Sequence, residues 1–595
     1  MKQANRLRHP LKLSVLAGAC LLALSQGAGA FEIDTGNPDL KVRLDTTVRY
    51  NLGIRAKDCD VNICGSDDAA MSTPAIPGVL PATPQGDLTA WQSDRKFGKA
   101  GDVMTNRIDV LPEFDFIYKE RHGFRVSAAA WYDAAYSNKL PGDAGYDLFG
   151  GYLSGAGAAG TPYQPYTKRY ALGPSGEFLD AFVFTGFDVG DVPVNLKLGQ
   201  HNVYWGESLF SFLNGISYGQ GPIDIRKAQA TPGIEAKEVF KPINQLSANI
   251  DFTDRISLAG QYQFDWKPSQ LPEGGTYFGA ADGLSMGGGG SLLGIPFEGV
   301  AIKPAKERGD WGLALKWRPE AFDARLGFYY REYSEKFPQL VFTNLNGVPP
   351  FMFGGFGLDY STKKAKMLGF SMGKQVGDMS VGMDLTYRTD AALAAKPFAT
   401  PSSAMIPFVA PGQELPTGKV FTGVVNAINY FGKTPVYDSA VLTAEVNFSH
   451  LQSVTTGAGF FKGEGYAGCT GLLDPVTLQN ATRNGCATKN AVGFAVNFEP
   501  KWFQVWDGVD VTAPMFLGMG VYGNSAVLFG DNKGQGSYSL GVAFDIQNQY
   551  TVDVKYNGFI ARHSNDAAGV FSTSNAALGK YWDRDWVSLT FKTTF

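Results

Sequence analysis

The chain ends on DRDWVSLTFKTTF, Asp583 to Phe595. Side chains of an extended strand alternate between its faces. Val587, Leu589, Phe591, Thr593 and Phe595 therefore share one face, and Trp586, Ser588, Thr590, Lys592 and Thr594 the other. One face is mostly apolar, the other mostly polar. A strand at a chain end leaves a row of backbone groups unpaired unless another strand covers it, and in lipid only closure into a barrel supplies that cover. The first clean strand offers the partner: LKVRLDTTVRYNLGI, Leu40 to Ile54. Leu40, Val42, Leu44, Thr46, Val48, Tyr50, Leu52 and Ile54 face one way; Lys41, Arg43, Asp45, Thr47, Arg49, Asn51 and Gly53 face the other. A tilted membrane strand needs only ~9–11 residues in the apolar layer. Soluble strands average about 5–6 residues, so a run this long favours a barrel wall.

The alternation recurs near 106–119, 124–137, 176–187, 193–204, 244–253, 255–267, 310–318, 322–334, 362–374, 379–390, 419–431, 438–451, 489–498, 509–521, 536–546 and 549–560. With the first and last strands the reading is all-β, a transmembrane antiparallel up-and-down β-barrel of about 18 strands (about 16–20). In 255–267, Ile256, Leu258, Tyr262, Phe264 and Trp266 are assigned outward. Lys366 falls on an outward position, and Pro112 removes a ladder donor from its strand. Tight turns at 120–123, 188–192, 254, 319–321, 375–378 and 547–548 alternate with long connections, among them 55–105, 138–175, 205–243, 268–309, 335–361, 391–418, 452–488, 522–535 and 561–583. That asymmetry matches short periplasmic turns and long extracellular loops.

Composition agrees. The 595 residues are 44% hydrophobic and 13% aromatic, with 73 Gly, 42 Phe and 26 Tyr, yet no apolar run is long enough for a membrane helix. The first thirty residues read as a secretory signal: Lys2, Arg6, Arg8 and Lys12, then apolar Leu13–Leu24, then Ala28-Gly29-Ala30 before cleavage. Cys20 sits in a run that only distantly resembles a lipoprotein box, with Ala17 where Leu is usual. Removing four cations takes the net charge from −4 to −8, as Lys+Arg falls from 52 to 48 against 56 Asp+Glu. Nucleic acid is not an expected partner of so acidic a chain. Residues 31–39 follow as a periplasmic N-terminal segment, and 40–595 as one barrel. Two close cysteine pairs, Cys59 with Cys64 and Cys469 with Cys486, read as disulfides in an exported chain. Zinc lacks the ligand spacing and a nearby His.

Other motifs are weak. Asp58, Asp60 and Asn62 open like a calcium loop, but Ile63 stands where Gly is needed and Ala69 where the closing Glu belongs. Gly287–Gly290 lacks the Lys-Ser/Thr of a phosphate loop. His201 is expected in the lumen beside Lys197, with no Ser–His–Asp set adjacent in sequence. The reading assigns no catalytic residue, metal or cofactor.

Several stretches carry a family resemblance: FEIDTGNPDLKVR (Phe31–Arg43), NRIDVLPEFDF (Asn106–Phe116), SAAAWYDAAY (Ser127–Tyr136), YWGES (Tyr204–Ser208), KPINQLSA (Lys241–Ala248) and the DRDWVSLTF ending. Together they are similar to a proteobacterial outer-membrane family known as domain of unknown function thirteen hundred and two. The resemblance spans essentially the whole mature chain. It implies an outer-membrane protein working with a periplasmic companion and a resistance-nodulation-division type exporter of hydrophobic molecules. Its other partners would be the barrel-assembly machinery, outer-membrane lipid and lipopolysaccharide.

By alternation the inward face carries Arg43, Asp45, Arg49, Arg107, Asp109, Glu113, Asp115, Arg125, Asp133, Lys197, Asp265, Lys316, Arg325, Arg331, Asp384, Arg388, Glu445, Asp553, Lys555 and Lys592. Mixed signs favour a wall of paired charges over a ladder for a charged substrate. About eighteen strands enclose a cylinder roughly 35 Å across, too wide for side chains to fill. The segment 205–241 is the candidate for an inserted loop. Its apolar start, Trp205, Leu209, Phe210, Phe212, Leu213 and Ile216, places Leu209, Phe212, Leu213 and Ile216 on one face of an expected short helix. Its charged end, Asp224, Arg226, Lys227, Glu235, Lys237 and Glu238, can pair with the wall. Asp224, Arg226 and Glu238 are expected against a permeating molecule or the wall beside it, and Trp205 and Glu207 belong to the same constriction set. The expected function is an outer-membrane channel for small molecules, and the family resemblance implies a hydrophobic or amphipathic cargo such as lipid, sterol or aromatic compounds. A selective hydrophilic porin is the alternative and a barrel hydrolase the remote one.

Overall fold

The computed structural model of the chain describes residues 31–60, 96–137, 163, 165–279, 289–292, 295–298, 300–342, 356–395, 414–466, 485–561, 563–565, 571–573 and 581–595. The signal segment 1–30, Cys64, Cys469, Gly287 and the calcium-like positions Asn62, Ile63 and Ala69 lie outside them. Eighteen antiparallel strands close into one barrel. They begin with β1 (Leu40–Arg55), β2 (Val103–Tyr118), β3 (His122–Asp133), β4 (Ser175–Val189), β5 (Val192–His201) and β6 (Ile243–Asp251). Next come β7 (Ile256–Gln263), β8 (Trp311–Trp317), β9 (Arg325–Tyr333), β10 (Ala365–Val376), β11 (Met379–Ala392) and β12 (Thr417–Phe431). The circuit is completed by β13 (Ser439–Thr456), β14 (Asn490–Trp506), β15 (Val509–Thr512 and Met515–Tyr522, interrupted at Ala513-Pro514), β16 (Gly536–Ile546), β17 (Tyr550–Ile560) and β18 (Trp586–Thr594).

The two strands that the sequence pairs do close the barrel. β1 and β18 run antiparallel from Thr47 opposite Thr594 to Arg55 opposite Trp586. Thr46 and Phe595 exchange backbone hydrogen bonds at 2.6 and 3.1 Å. With 16 residues against 9, β1 outruns β18. Its remaining edge at Val42–Leu44 is covered by Phe31–Ile33, so no exposed ladder is left there.

The faces are inverted relative to a soluble protein. Leu198, Leu246, Leu313, Leu315, Phe328, Leu368, Val425 and Val446 are exposed on the outside. Arg49, Arg331, Arg388, Asp384 and Thr422 are each 0% exposed on the inside. Polar groups meet one another within and apolar ones face outward, as a lipid solvent requires.

Local differences from the sequence reading have local causes. The β2–β3 turn is Lys119–Arg121, with Lys119 and Glu120 at φ 49° and 57°. Gly123 already lies in β3, opposite Ile117. Pro112 leaves a gap in the β2–β3 ladder, yet the register on either side, Val110 with Ala130 and Glu113 with Ser127, is the same. β7 stops at Gln263 rather than near 267. Trp266 is therefore not outward: it is buried, donates to the Glu335 carbonyl at 2.9 Å and packs on Tyr360. β14 runs on past 498 to Trp506, because its hairpin with the first part of β15 continues the sheet.

Candidate functional site

Between β5 and β6 the chain does not form the apolar helix expected over Leu209–Ile216. Only Phe212–Asn214 makes a single 3-10 turn, and Leu209 is 43% exposed while Ile216 is 0% exposed. The backbone polar groups go elsewhere. Leu209, Phe210 and Ser211 donate their N–H groups to the Glu445 carboxylate of β13 at 2.7, 3.0 and 2.5 Å. Glu207 and Ile216 donate theirs to Asp384 of β11 at 2.8 and 3.1 Å. Arg331 of β9 donates to the carbonyls of Ile216 and Tyr218, and Arg388 of β11 to those of Leu213 and Gly215. Asn426 holds the Glu207 carbonyl at 2.6 Å and Thr422 the Asn214 carbonyl at 2.8 Å. Carboxylates take the N–H groups and guanidiniums the carbonyls, so irregular backbone is satisfied without a helix. Gly206, at φ 98°, is required here, since a Cβ would strike the Asp384 carboxylate.

This corrects one expectation. Asp384, Glu445, Arg331 and Arg388 hold the backbone of the segment rather than one another. On the opposite wall charges do pair. Arg107 meets Asp109 at 2.7 Å and Arg125 meets Glu113 at 2.5 Å. Arg43 pairs with Asp45 at 3.2 Å at a more exposed position.

The charged half of the segment reaches that opposite wall. It carries α1 (Ile225–Ala230), capped by Asp224, and α2 (Ala236–Val239), with a Glu235–Glu238 capping box. Glu238 accepts two hydrogen bonds from Arg49 of β1, at 2.8 and 2.9 Å, with both residues 0% exposed. Lys227 and Lys241 reach Glu177 of β4 at 2.7 and 2.5 Å, Lys237 reaches Glu113, and Lys592 of β18 reaches Glu235 at 2.5 Å. Asp224 and Glu238 are thus bound to protein. Arg226 pairs with Asp224 at 2.9 Å and stacks over Tyr170 at 4.1 Å.

Burial works against charge on Asp224, but Arg226 outweighs it and holds the carboxyl far below its usual range. Burial likewise opposes charge on Glu235, and the hydrogen bonds from Lys592 and Lys237 still pull it down to about 2. Lys241 is lowered by its own burial despite Glu177. Trp205 anchors the start of the segment: its backbone N–H donates to Gln220 Oε1 at 2.7 Å and its ring lies 5.9 Å from Tyr329. A Cβ on Gly373 or Gly382 would press on the Glu207 side chain. His201 is buried, with Nδ1 on the Gly199 carbonyl and Nε2 on Ser247 Oγ. A carbonyl, not a carboxylate, orients this imidazole.

Between the apolar half of the segment and β14–β18 lies a cavity of 430 Å³. Phe210, Phe516, Phe559 and Trp586 line it, with Ser537 and Asn557. Strand alternation turns Ala495, Gly518, Ser537 and Ser539 inward, but no titratable side chain among these four draws attention to the wall, and it was not singled out from the sequence. Glu177, absent from the inward set read from the sequence, could have been found by alternation, since its neighbour Phe178 points outward and is 67% exposed. Cys59 and Cys486 are each disulfide-bonded.

A profile of the family described as "Protein of unknown function (DUF1302)" matches residues 11–595. No curated protein matches. Solved structures that do match include the outer membrane channel DcaP of Acinetobacter baumannii, at 9% identity, 95% coverage of this chain, 100% of that one and a TM-score of 0.35. OccAB1 of the same species matches at 7% identity, 96% and 98% coverage and a TM-score of 0.39. OprB of Pseudomonas putida, in its high-pH form, matches at 11% identity, 94% coverage of both chains and a TM-score of 0.34.

Proposed function

The chain belongs to the family described as protein of unknown function (DUF1302), and we propose that it is an outer-membrane channel narrowed by the segment 205–241. Hydrophobic or amphipathic small molecules pass along its β14–β18 side. The outward apolar face supports the membrane placement, since only a closed barrel satisfies every backbone group in lipid. Bonds from one segment to β11–β13 and to β1, β2, β4 and β18 support the narrowing. The observation that carries the cargo class is the contrast between walls. On β1–β4 the charges are engaged with one another and with the segment, while the 430 Å³ cavity beside β14–β18 is aromatic and nearly uncharged.

Export by the Sec route with cleavage after Ala30, and the pairings Cys59–Cys64 and Cys469–Cys486 in outside loops, belong to the same reading. So do a periplasmic companion and an inner-membrane exporter as partners. The test is conductance in a planar bilayer with and without a neutral aromatic solute. Reversible block by the solute is expected. A steady ohmic conductance indifferent to it returns the hydrophilic porin.

A further inference from the structure

We propose that the cavity beside the segment is a binding site for uncharged ring compounds that carry hydroxyl groups, and that it rejects their carboxylate analogues. This deepens the channel reading and rests on it only for the cavity's place in a transport route. The volume of 430 Å³ falls within the roughly 300–1,000 Å³ of small-molecule sites. Its apolar character comes from rings: Phe210 and Phe516 lie 5.6 Å apart, with Phe559 and Trp586 completing the wall.

Three buried polar atoms of residues that line the cavity have no hydrogen-bond partner among the described residues: Gln535 Nε2, Asn214 Oδ1 and Gln229 Oε1. Gln535 and Asn214 are 4% and 3% exposed. A buried amide left unpaired is costly, so these groups fit a ligand that brings its own polar atoms. Two accept and one donates. A hydroxyl, which does both, fits such a set.

The lining also decides charge. Asp531 is the one charged side chain among the described residues around the cavity. Asn447 Nδ2 donates to it at 2.6 Å. Gly493 leaves it room against β14, since a Cβ there would strike the carboxylate. An entering anion would lose its hydration, meet a carboxylate and find no cation, which is strongly unfavourable. Phe529, a half-exposed non-glycine residue at φ 57°, also lines the cavity, its ring 5.2 Å from Phe337.

The experiment titrates 2-naphthol and 2-naphthoate, which share one ring body, into the purified full-length barrel at pH 7 by calorimetry. Saturable 2-naphthol binding is expected, with 2-naphthoate at least ten-fold weaker. Gln535→Leu weakens 2-naphthol about five-fold, the worth of one neutral hydrogen bond. Ala495→Leu, which fills the cavity from the wall, abolishes binding while leaving the barrel heat-modifiable on gels. Equal affinity for the two compounds, or 2-naphthol binding indifferent to both variants, overturns the inference. Conductance of the same preparations separates the two readings. A barrel that conducts but binds neither compound defeats the site alone, and one that binds without conducting defeats the channel alone.

Discussion

Glu238→Leu isolates the tether between the segment and β1. It leaves the Arg49 guanidinium, 0% exposed, with the Gly233 carbonyl at 3.3 Å and Asp109 at 3.7 Å. Removing one member of a buried ion pair costs about 3–5 kcal/mol, whereas replacing both by apolar groups is near neutral. At about 1.4 kcal/mol per factor of ten, a loss of about 3 kcal/mol raises the ratio of detached to docked segment roughly a hundred-fold. Single-channel recording reads this as new flicker and higher-conductance openings, and limited proteolysis as cleavage near Gly233. Arg49→Met added to Glu238→Leu should restore quiet traces and protease resistance. A single variant as quiet as the parent chain, or a double variant noisier than the single one, refutes the reasoning.

Further outcomes follow from the same contacts. Glu445→Ala strips the acceptor from three backbone N–H groups, each about 1–3 kcal/mol if left unsatisfied. It should loosen 209–211 while the Asp384 contacts and the Arg49 end stay docked, a partial conductance increase readable beside that of Glu238→Leu. For Glu235, a folded-state pKa of about 2, below the ordinary carboxylate value, means that its contribution is fully present above that ordinary value. It is lost as pH falls toward 2, so channel noise should stay flat from pH 7 to 5 and rise only below about pH 4. Non-reducing peptide mapping should recover Cys59 with Cys64 and Cys469 with Cys486; cross-pairing between the two loops contradicts the assignment. A tag after Glu120, in the open β2–β3 turn, should be hidden on intact cells and accessible after permeabilisation.

The barrel was legible because its wall obeys a period of two and its connections alternate in length. Leu40–Ile54 and Asp583–Phe595 identified each other as closing partners from their patterns alone. Strand ends were less legible: nothing in FDWK marks Trp266 as leaving the sheet, since its burial depends on Tyr360 and Glu335 far along the chain. Within 205–241 the charged half showed itself as able to reach the wall, whereas the apolar half resembled a helix by spacing. That spacing loses to wall carboxylates, because Glu445 and Asp384 offer the backbone N–H groups better acceptors than one helical turn could. The cavity escaped notice for the opposite reason. Its strand wall is mostly Ala, Gly, Ser, Asn and Phe, residue types whose chemistry emerges only when β14–β18 bring them around one space.

The most direct test of the account is single-channel conductance after deletion of Ser211–Ala230. The described contacts predict a several-fold increase, with the barrel still heat-modifiable and its β1–β18 closure intact. Unchanged conductance in a correctly assembled deletion variant contradicts the claim that this segment narrows the lumen.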